Sequence, residues 1–286
     1  MDEQVTGIYQ YRSIWISDIH LGTPGASATE LLNFLKHTRS DYLFLVGDIV
    51  DGWQLKKRWY WPQTHNDVVQ KLLRKARHGT NVIFIPGNHD EAARQYTDLT
   101  FGEIKLHHDY IHETVDKKKL WVVHGDLFDH VIQHARWLAY IGDKAYNILI
   151  RANHWLNVCR NAFKLPYWSL SQYLKLKVKS AVSFISAFEH VMVTETRRRG
   201  CDGIICGHIH KPELKILDGI IYGNDGDWVE SRSALVEHLD GSLELLDWDQ
   251  ICKNTAGTAE VPAVEDGLDE VPVTVLAGLA FGSRTQ

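Results

Sequence analysis

Residues 42–53 read YLFLVGDIVDGW. An apolar run from Tyr42 to Val46 that closes on Gly47-Asp48 is the pattern of a strand covered on both faces, with a carboxylate delivered at its carboxyl end. The same pattern recurs on either side. Upstream, Tyr11 to Ser17 reads as a strand ending in Asp18-Ile19-His20, and a helical pattern from Glu30 to Thr38 (Leu31, Leu32, Phe34, Leu35) links the two. Downstream, Val68, Val69, Leu72, Leu73 and Ala76 space out an amphipathic helix stopped by Gly79. Val82 to Ile85 then runs into Pro86-Gly87-Asn88-His89-Asp90. The opening is therefore β-α-β-α-β, which predicts an α/β fold with helices on the sheet faces and a site at the strand ends.

The second half is richer in strands. Leu120 to Val123 precedes His124-Gly125-Asp126, and Gly203 to Cys206 precedes Gly207-His208-Ile209-His210. Strand-like runs follow at Gly219 to Tyr222, Ser233 to His238 and Leu243 to Trp248. Between Asp126 and Gly200 lies a long segment of mostly helical pattern. From Lys144 to Arg199 it holds ten Lys and Arg against two acids, with Trp155, Phe163, Tyr167, Trp168, Tyr173, Phe184 and Phe188 among them. It reads either as a cap that helps bind an anionic, partly apolar substrate, or as a helical subdomain with a solvated basic face. After Gln250 the composition turns to Gly, Ala, Val, Thr and acids. The expected organisation is a domain over residues 10–250, a helical cap at 128–200 inserted in it, and a weakly ordered tail at 253–286.

The bulk numbers narrow the function classes. A net charge of −5 over 286 residues argues against a stable nucleic-acid partner. Cys159, Cys201, Cys206 and Cys252 form no CxxC pair and read as buried free thiols of a reducing compartment. Met1 to Arg12 has no apolar core of a signal peptide, and no run reaches the roughly 18 apolar residues of a spanning helix. A cytoplasmic location is the expectation.

Five strand ends carry Asp-x-His, Gly-Asp, Gly-Asn-His-Asp, His-Gly and Gly-His-x-His. Each is weak alone, but their recurrence after apolar strands points to one shared centre. The candidate metal ligands are Asp18, His20, Asp48, Asn88, His124, His208 and His210. Imidazole with carboxylate suits Mn, Fe, Zn or Co, and the lack of cysteine argues against a structural zinc site. Two carboxylates and a bridging hydroxide would leave two divalent ions with an excess of one positive charge, which favours an anionic substrate such as a phosphoester.

These motifs resemble those of the calcineurin-like metallophosphoesterases, whose fold is a four-layer α-β-β-α sandwich. By that resemblance Asp18, His20 and His210 hold one ion, Asn88, His124 and His208 the other, and Asp48 bridges them. The two ions share a hydroxide that attacks phosphorus in line. His89 would act on the phosphate or the leaving oxygen as a catalytic residue beside the metals. Asp90 either orients it or serves a turn, and Asp126 is either an outer partner of the site or structural.

Gly47-Asp48-Ile49-Val50-Asp51-Gly52-Trp53, the His124-Gly125-Asp126 step, the long insertion and Gly226-Asp227-Trp228 are similar to the UDP-2,3-diacylglucosamine diphosphatase family. That resemblance implies cleavage of the pyrophosphate of UDP-2,3-diacylglucosamine or a related lipid-linked phosphoester in lipid A synthesis. It also implies two divalent ions, with Mn2+ preferred, and a peripheral position on the inner membrane. Trp53, Arg58, Lys175, Lys177 and Lys179 are the candidate substrate-binding residues. The loop Trp53 to Trp61, with four aromatics and three bases, fits lipid, base or membrane-interface contact, or a packing seam. The family usually reads Gly-Asn-Arg-Asp where this chain has His89, which keeps open a general phosphodiesterase or nuclease acting on a soluble nucleotide. A non-catalytic metal-binding scaffold is the remaining alternative.

Overall fold

The two faces of the first strand explain the layering. In β1 (Tyr9–Ile16), Ile14 and Ile16 point to one side and Trp15 to the other, all buried. The computed structural model describes residues 8–129 and 170–255. The chain divides into two compact units, Met1–Asp126 with Glu195–Gln286, and Leu127–Thr194.

In the first unit, β1 pairs in parallel with β2 (Thr38–Val46), and β2 in parallel with β3 (Asn81–Ile85). The connections are α1 (Ala28–His37) and then α2 (Gly52–Lys57) with α3 (Gln63–Arg77). A short hairpin, β4 (Thr100–Phe101) and β5 (Ile104–Leu106), extends one edge. β11 (Ser233–Glu237) and β12 (Leu243–Asp247) extend the other, giving the order β12-β11-β1-β2-β3-β5-β4. A second sheet runs β6 (Tyr110–Glu113), β7 (Lys119–Val122), β8 (Gly203–Cys206), β10 (Ile220–Asn224), β9 (Glu213–Leu217). The helix α4 (Leu170–Arg198) precedes β8, and α5 (Trp248–Thr255) follows β12.

Two cores follow from the alternation. Ile14, Ile16, Leu43 and Leu45 pack with Leu31, Phe34, Val68, Leu72 and Trp248 on the helix side of the first sheet. Trp15, Phe44, Val46 and Ile85 face Leu120, Val122 and Ile205 of the second sheet. The α/β class expected from the sequence is thus realised as two sheets and helices. The segment 53–61, a loop by its sequence, begins instead as the helix α2, whose N-cap Asp51 accepts from Gln54 N at 2.8 Å.

A buried ion pair ties the two sheets together. Glu237 of β11 is wholly buried at its side chain. It takes Arg12 Nη1 at 2.7 and 2.9 Å, Ser13 Oγ at 2.7 Å, the Val115 amide at 2.9 Å and His112 Nε2 at 2.8 Å. His112 belongs to β6, in the other sheet, and the rings of Trp15, Tyr42 and Phe44 surround it. Burial alone would raise the Glu237 carboxyl; the bonds from His112, Ser13, Val115 and Arg12 outweigh it and hold the group at about 2.

A carboxyl lowered in the folded state stabilises above its unfolded value near 4.5, and that contribution fades as pH falls toward 2. Glu237→Ala should cost about 3 kcal/mol at neutral pH, as for other buried pairs that lose one partner. Its urea-measured stability should also fall less steeply than wild type between pH 4.5 and 2. Equal pH slopes for the two proteins would contradict this account.

Candidate metal centre

The candidate ligands sit where strands end and the backbone turns sharply. Asp18 follows β1, Asp48 follows β2, Asn88 follows β3, His124 follows β7, and His208 and His210 follow β8. Asp18, His20, Asp48, His208 and His210 all adopt left-handed backbone, with φ of 49°, 53°, 53°, 70° and 51°. They make up five of the ten non-glycine residues with positive φ among the described residues. Each such residue costs on the order of 1 kcal/mol or more, and such strain gathers at functional sites. Backbone bonds hold the turns: Asp18 N to Gly47 O at 3.0 Å, His20 N to Asp48 O at 2.9 Å, and Trp228 N to Asp18 O at 3.1 Å.

The side chains converge in two groups. Ligand atoms of Asp18, His20 and His210 lie within 4.8 Å of one another, as do those of Asp48, His124 and His208. His210 Nε2 is 3.1 Å from Asp18 Oδ1, and His20 Nε2 is 3.9 Å from the same oxygen. Asp48 Oδ2 faces both groups, 3.4 Å from His124 Nε2 and 4.0 Å from His20 Nε2. A Cβ on Gly87 would run into the Asp48 carboxylate and would come within 2.7 Å of the His124 ring, so only glycine leaves the space these groups fill.

The residues fit divalent metal ions. Asp18 Oδ1, Asn88 Oδ1 and His124 Nε2 are buried and have no hydrogen-bond partner among the described residues. An unmet buried acceptor costs about 1–3 kcal/mol, and these three acceptors are of the kinds that hold a cation. His124 Nδ1 donates to Val46 O at 2.8 Å, which leaves Nε2 as the lone-pair nitrogen. Burial disfavours charge on His124, yet the Asp48 and Asp18 carboxylates push it up to about 10: the field of the site calls for positive charge. Asp18 and Asp48 are both held low, with imidazoles outweighing the cost of burial.

His89 lies beside these groups. Its amide donates to Asp48 Oδ1 at 2.8 Å, its Nε2 is 3.9 Å from Asp48 Oδ2, and its Nδ1 is 3.1 Å from Asp51 Oδ2. Burial lowers the His89 imidazole, but Asp51 and Asp48 raise it further. By sequence Asp90 either orients His89 or serves a turn; in the structure it is Asp51 that lies beside the His89 ring. Asp90 is committed to the backbone, accepting from Ile49 N at 2.8 Å and Gly87 N at 2.5 Å, and burial with the nearby Asp48 lifts it to about 6. Asp51 also reaches His20 Nδ1 at 3.3 Å, so one carboxylate serves both rings. The only sequence signal for it is a second Asp three residues after Asp48.

Other candidates separate. Trp53 of α2 lies over His89, ring centroids 4.2 Å apart, and is partly exposed. Arg58, the residue after α2, is exposed. Asp126 receives Arg94 Nη2 at 2.7 Å on both oxygens, and Arg94 also holds Pro86 O at 3.1 Å, which makes Asp126 an anchor for the end of β3. Lys175, Lys177 and Lys179 fall on α4, and their side chains lie outside the described residues.

The profile of the calcineurin-like phosphoesterases matches residues 11–212. The chain belongs to that family. It is a metal-dependent phosphoesterase. A curated relative, UDP-2,3-diacylglucosamine hydrolase of Xanthomonas campestris pv. campestris (strain B100), is 28% identical over 252 residues, covering 82% of this chain and 98% of the relative. Among solved structures, the Escherichia coli phosphoesterase Yfce is 17% identical with a TM-score of 0.40, over 82% of this chain and 98% of its own. An archaeal phosphodiesterase is 12% identical with a TM-score of 0.39, over 82% and 98%. No helix among the described residues is long and apolar enough to cross a membrane.

Asp48→Ala should lose at least one divalent ion per chain by elemental analysis, together with phosphoesterase activity. Wild-type metal content in this variant would remove Asp48 from the ligand set.

Proposed function

We propose that this phosphoesterase holds two divalent ions, Mn2+ by preference with Fe, Zn or Co as alternatives, and cleaves the pyrophosphate of UDP-2,3-diacylglucosamine or a related lipid-linked phosphoester. The observation that carries this reading is the convergence of two carboxylates and four imidazoles at strand ends, with three unmet buried acceptors among the candidate ligands. The substrate class rests on the named relative, 98% of which this chain covers.

Divalent ions bound there would supply Lewis-acid charge and an activated water for attack on phosphorus. The chain's own residues divide the remaining work. Asp51 Oδ2 lies beside His89 Nδ1 and would orient the ring, with Nε2 toward the candidate centre. As the P–O bond breaks, the departing oxygen would keep the electron pair, and His89 would stabilise or protonate it. Trp53, lying on His89 with an exposed face, suits stacking against a uracil or sugar ring. Trp59 and Tyr60 are exposed beside Lys56, Lys57 and Arg58, a composition suited to an anionic membrane interface. The basic, aromatic segment 144–199, with Lys175, Lys177 and Lys179, would form the cap that receives acyl chains and phosphate.

His89 favours a second reading. An imidazole at this position is the generic pattern of the family, so a phosphodiesterase acting on soluble nucleotides is the competing function.

His89→Ala should keep its metal while kcat/KM falls roughly 10²–10⁴-fold, the range for a lost acid–base group. Unchanged turnover would exclude His89 from the chemistry, and lost metal would make it a ligand. On substrate class, kcat/KM for an acylated UDP-sugar should exceed that for its deacylated counterpart, and the protein should float with anionic liposomes at low salt but not at high salt. Equal kcat/KM with no flotation would favour the soluble-nucleotide reading.

A further inference from the structure

Ser17 presents a problem of proton counting. Its Oγ lies 2.6 Å from Asp18 Oδ2, 2.6 Å from Asp225 Oδ1 and 3.1 Å from Gly226 O. A hydroxyl has one proton to give, and all three neighbours are acceptors if both carboxyls are ionised. Two oxygens 2.6 Å apart with no proton between them repel. A second proton is therefore needed, on one of the two carboxyls.

Asp18 is the wrong place for it. Its Oδ2 also accepts from the His208 amide at 2.8 Å, and its Oδ1 faces His210 and His20. The oxygen nearest Ser17 is thus already the acceptor of a fixed backbone donor, which leaves no room for a proton of its own on that side. Asp225 differs. It is fully buried, and among the described residues its Oδ2 has no hydrogen-bond partner and no cationic side chain contacts it there. Burial pushes its carboxyl well above the ordinary range; Ser17 works against this and the nearby Asp18 adds to it, with His124 opposing. Its position is fixed by its own amide on Cys206 O at 3.0 Å and by Ser233 Oγ on its carbonyl at 2.7 Å.

We propose that Asp225 is a neutral carboxylic acid that donates its proton to Ser17, aims the Ser17 hydroxyl at Asp18 Oδ2, and so acts as a positioning residue for the metal site. The chain runs Asp225 Oδ1–H to Ser17 Oγ, then Ser17 O–H to Asp18 Oδ2. With Oδ2 occupied by Ser17 and the His208 amide, Asp18 is held in the rotamer that presents Oδ1 to the metal side. No sequence motif marks Asp225, and its side chain reaches Asp18 only through Ser17.

The part concerning Asp18 rests on the dinuclear-metal reading; the location of the proton does not. Infrared spectra of wild type and Asp225→Asn, recorded at pH 7 with and without Mn2+, should show a protonated-carboxyl C=O band in wild type that the variant lacks. Asp225→Ala should bind Mn2+ about tenfold more weakly, the lower end of what outer partners of metal ligands contribute. Asp225→Asn keeps a neutral N–H donor toward Ser17 and should restore wild-type affinity. A raised carboxyl pKa in the folded state destabilises progressively as pH rises above the unfolded value near 3.8. The Tm of Asp225→Asn relative to wild type should accordingly increase from pH 4 to pH 7.

Absence of the infrared band, or Asn binding Mn2+ as poorly as Ala, would overturn the proposal and make Asp225 an ionised acceptor. Should Asp225→Ala fail to fold, the comparison of wild type with Asp225→Asn decides alone. Failure of wild type to bind Mn2+ would count against the dinuclear reading, while the band in metal-free protein would still locate the proton.

Discussion

Asp18 and Asp48 are nearly or wholly inaccessible to solvent, yet both are held ionised. Two dry carboxylates this close repel each other and lose hydration, a cost of several kcal/mol per ion unless opposite charge or hydrogen bonds offset it. Around them the protein supplies amides, a hydroxyl and imidazoles, and still leaves Asp18 Oδ1, Asn88 Oδ1 and His124 Nε2 unmet. That residual demand for positive charge is what the surrounding turns, glycines and strained backbone create together.

The sheet makes such a concentration possible. Parallel strands deliver their carboxyl ends to one edge, and β1, β2 and β3 are parallel and adjacent. After β1 and β2 the chain turns through left-handed backbone within two to four residues, at Asp18, His20 and Asp48, rather than continuing outward. The layers behind are rigid for an independent reason. Trp15 stacks on Phe44 at 5.4 Å between the sheets, and the Glu237 network closes the same interface away from the candidate ligands. The strain at Asp18, His20 and Asp48 is tolerated because close packing on both faces of β1 and β2 leaves these turns few alternatives.

Much of this is legible in the residues, for a physical reason. Buried parallel strands are continuous apolar runs, so a polar residue at the end of one stands out, and β1, β2, β3, β7 and β8 all announce their ends this way. What the residues conceal lacks that contrast. β6 reads Tyr-Ile-His-Glu and resembles a surface segment, because its His112 is buried by a partner 125 residues away. The helix α2 is only six residues long, and its cap is a residue of the metal-site motif itself. Asp90 looks like the partner of His89 because it is next in sequence. The fold instead brings Asp51 there, by a backbone bond from Gly52 N to His89 O at 3.0 Å that no spacing rule reveals.

Asp51 has a consequence for how the family's site can diversify. Burial would raise its carboxyl, but the His20 and His89 imidazoles and the Gln54 amide beside it outweigh this and hold it low. Only one of those rings belongs to the candidate ligand set; the other, His89, lies under Trp53. A residue replacing His89 would change the group under Trp53 but leave Asp51 its contacts with His20 and the α2 amide. Arginine at that position would still find a carboxylate at its base, and histidine finds one here. Under the proposed function, contacts at residues 89 and 53 could be exchanged while the candidate ligands, held by strand ends and their amides, stay in place. That separation is why the metal chemistry can be read from the strand ends, whereas the substrate has to be sought in residues the strands do not position.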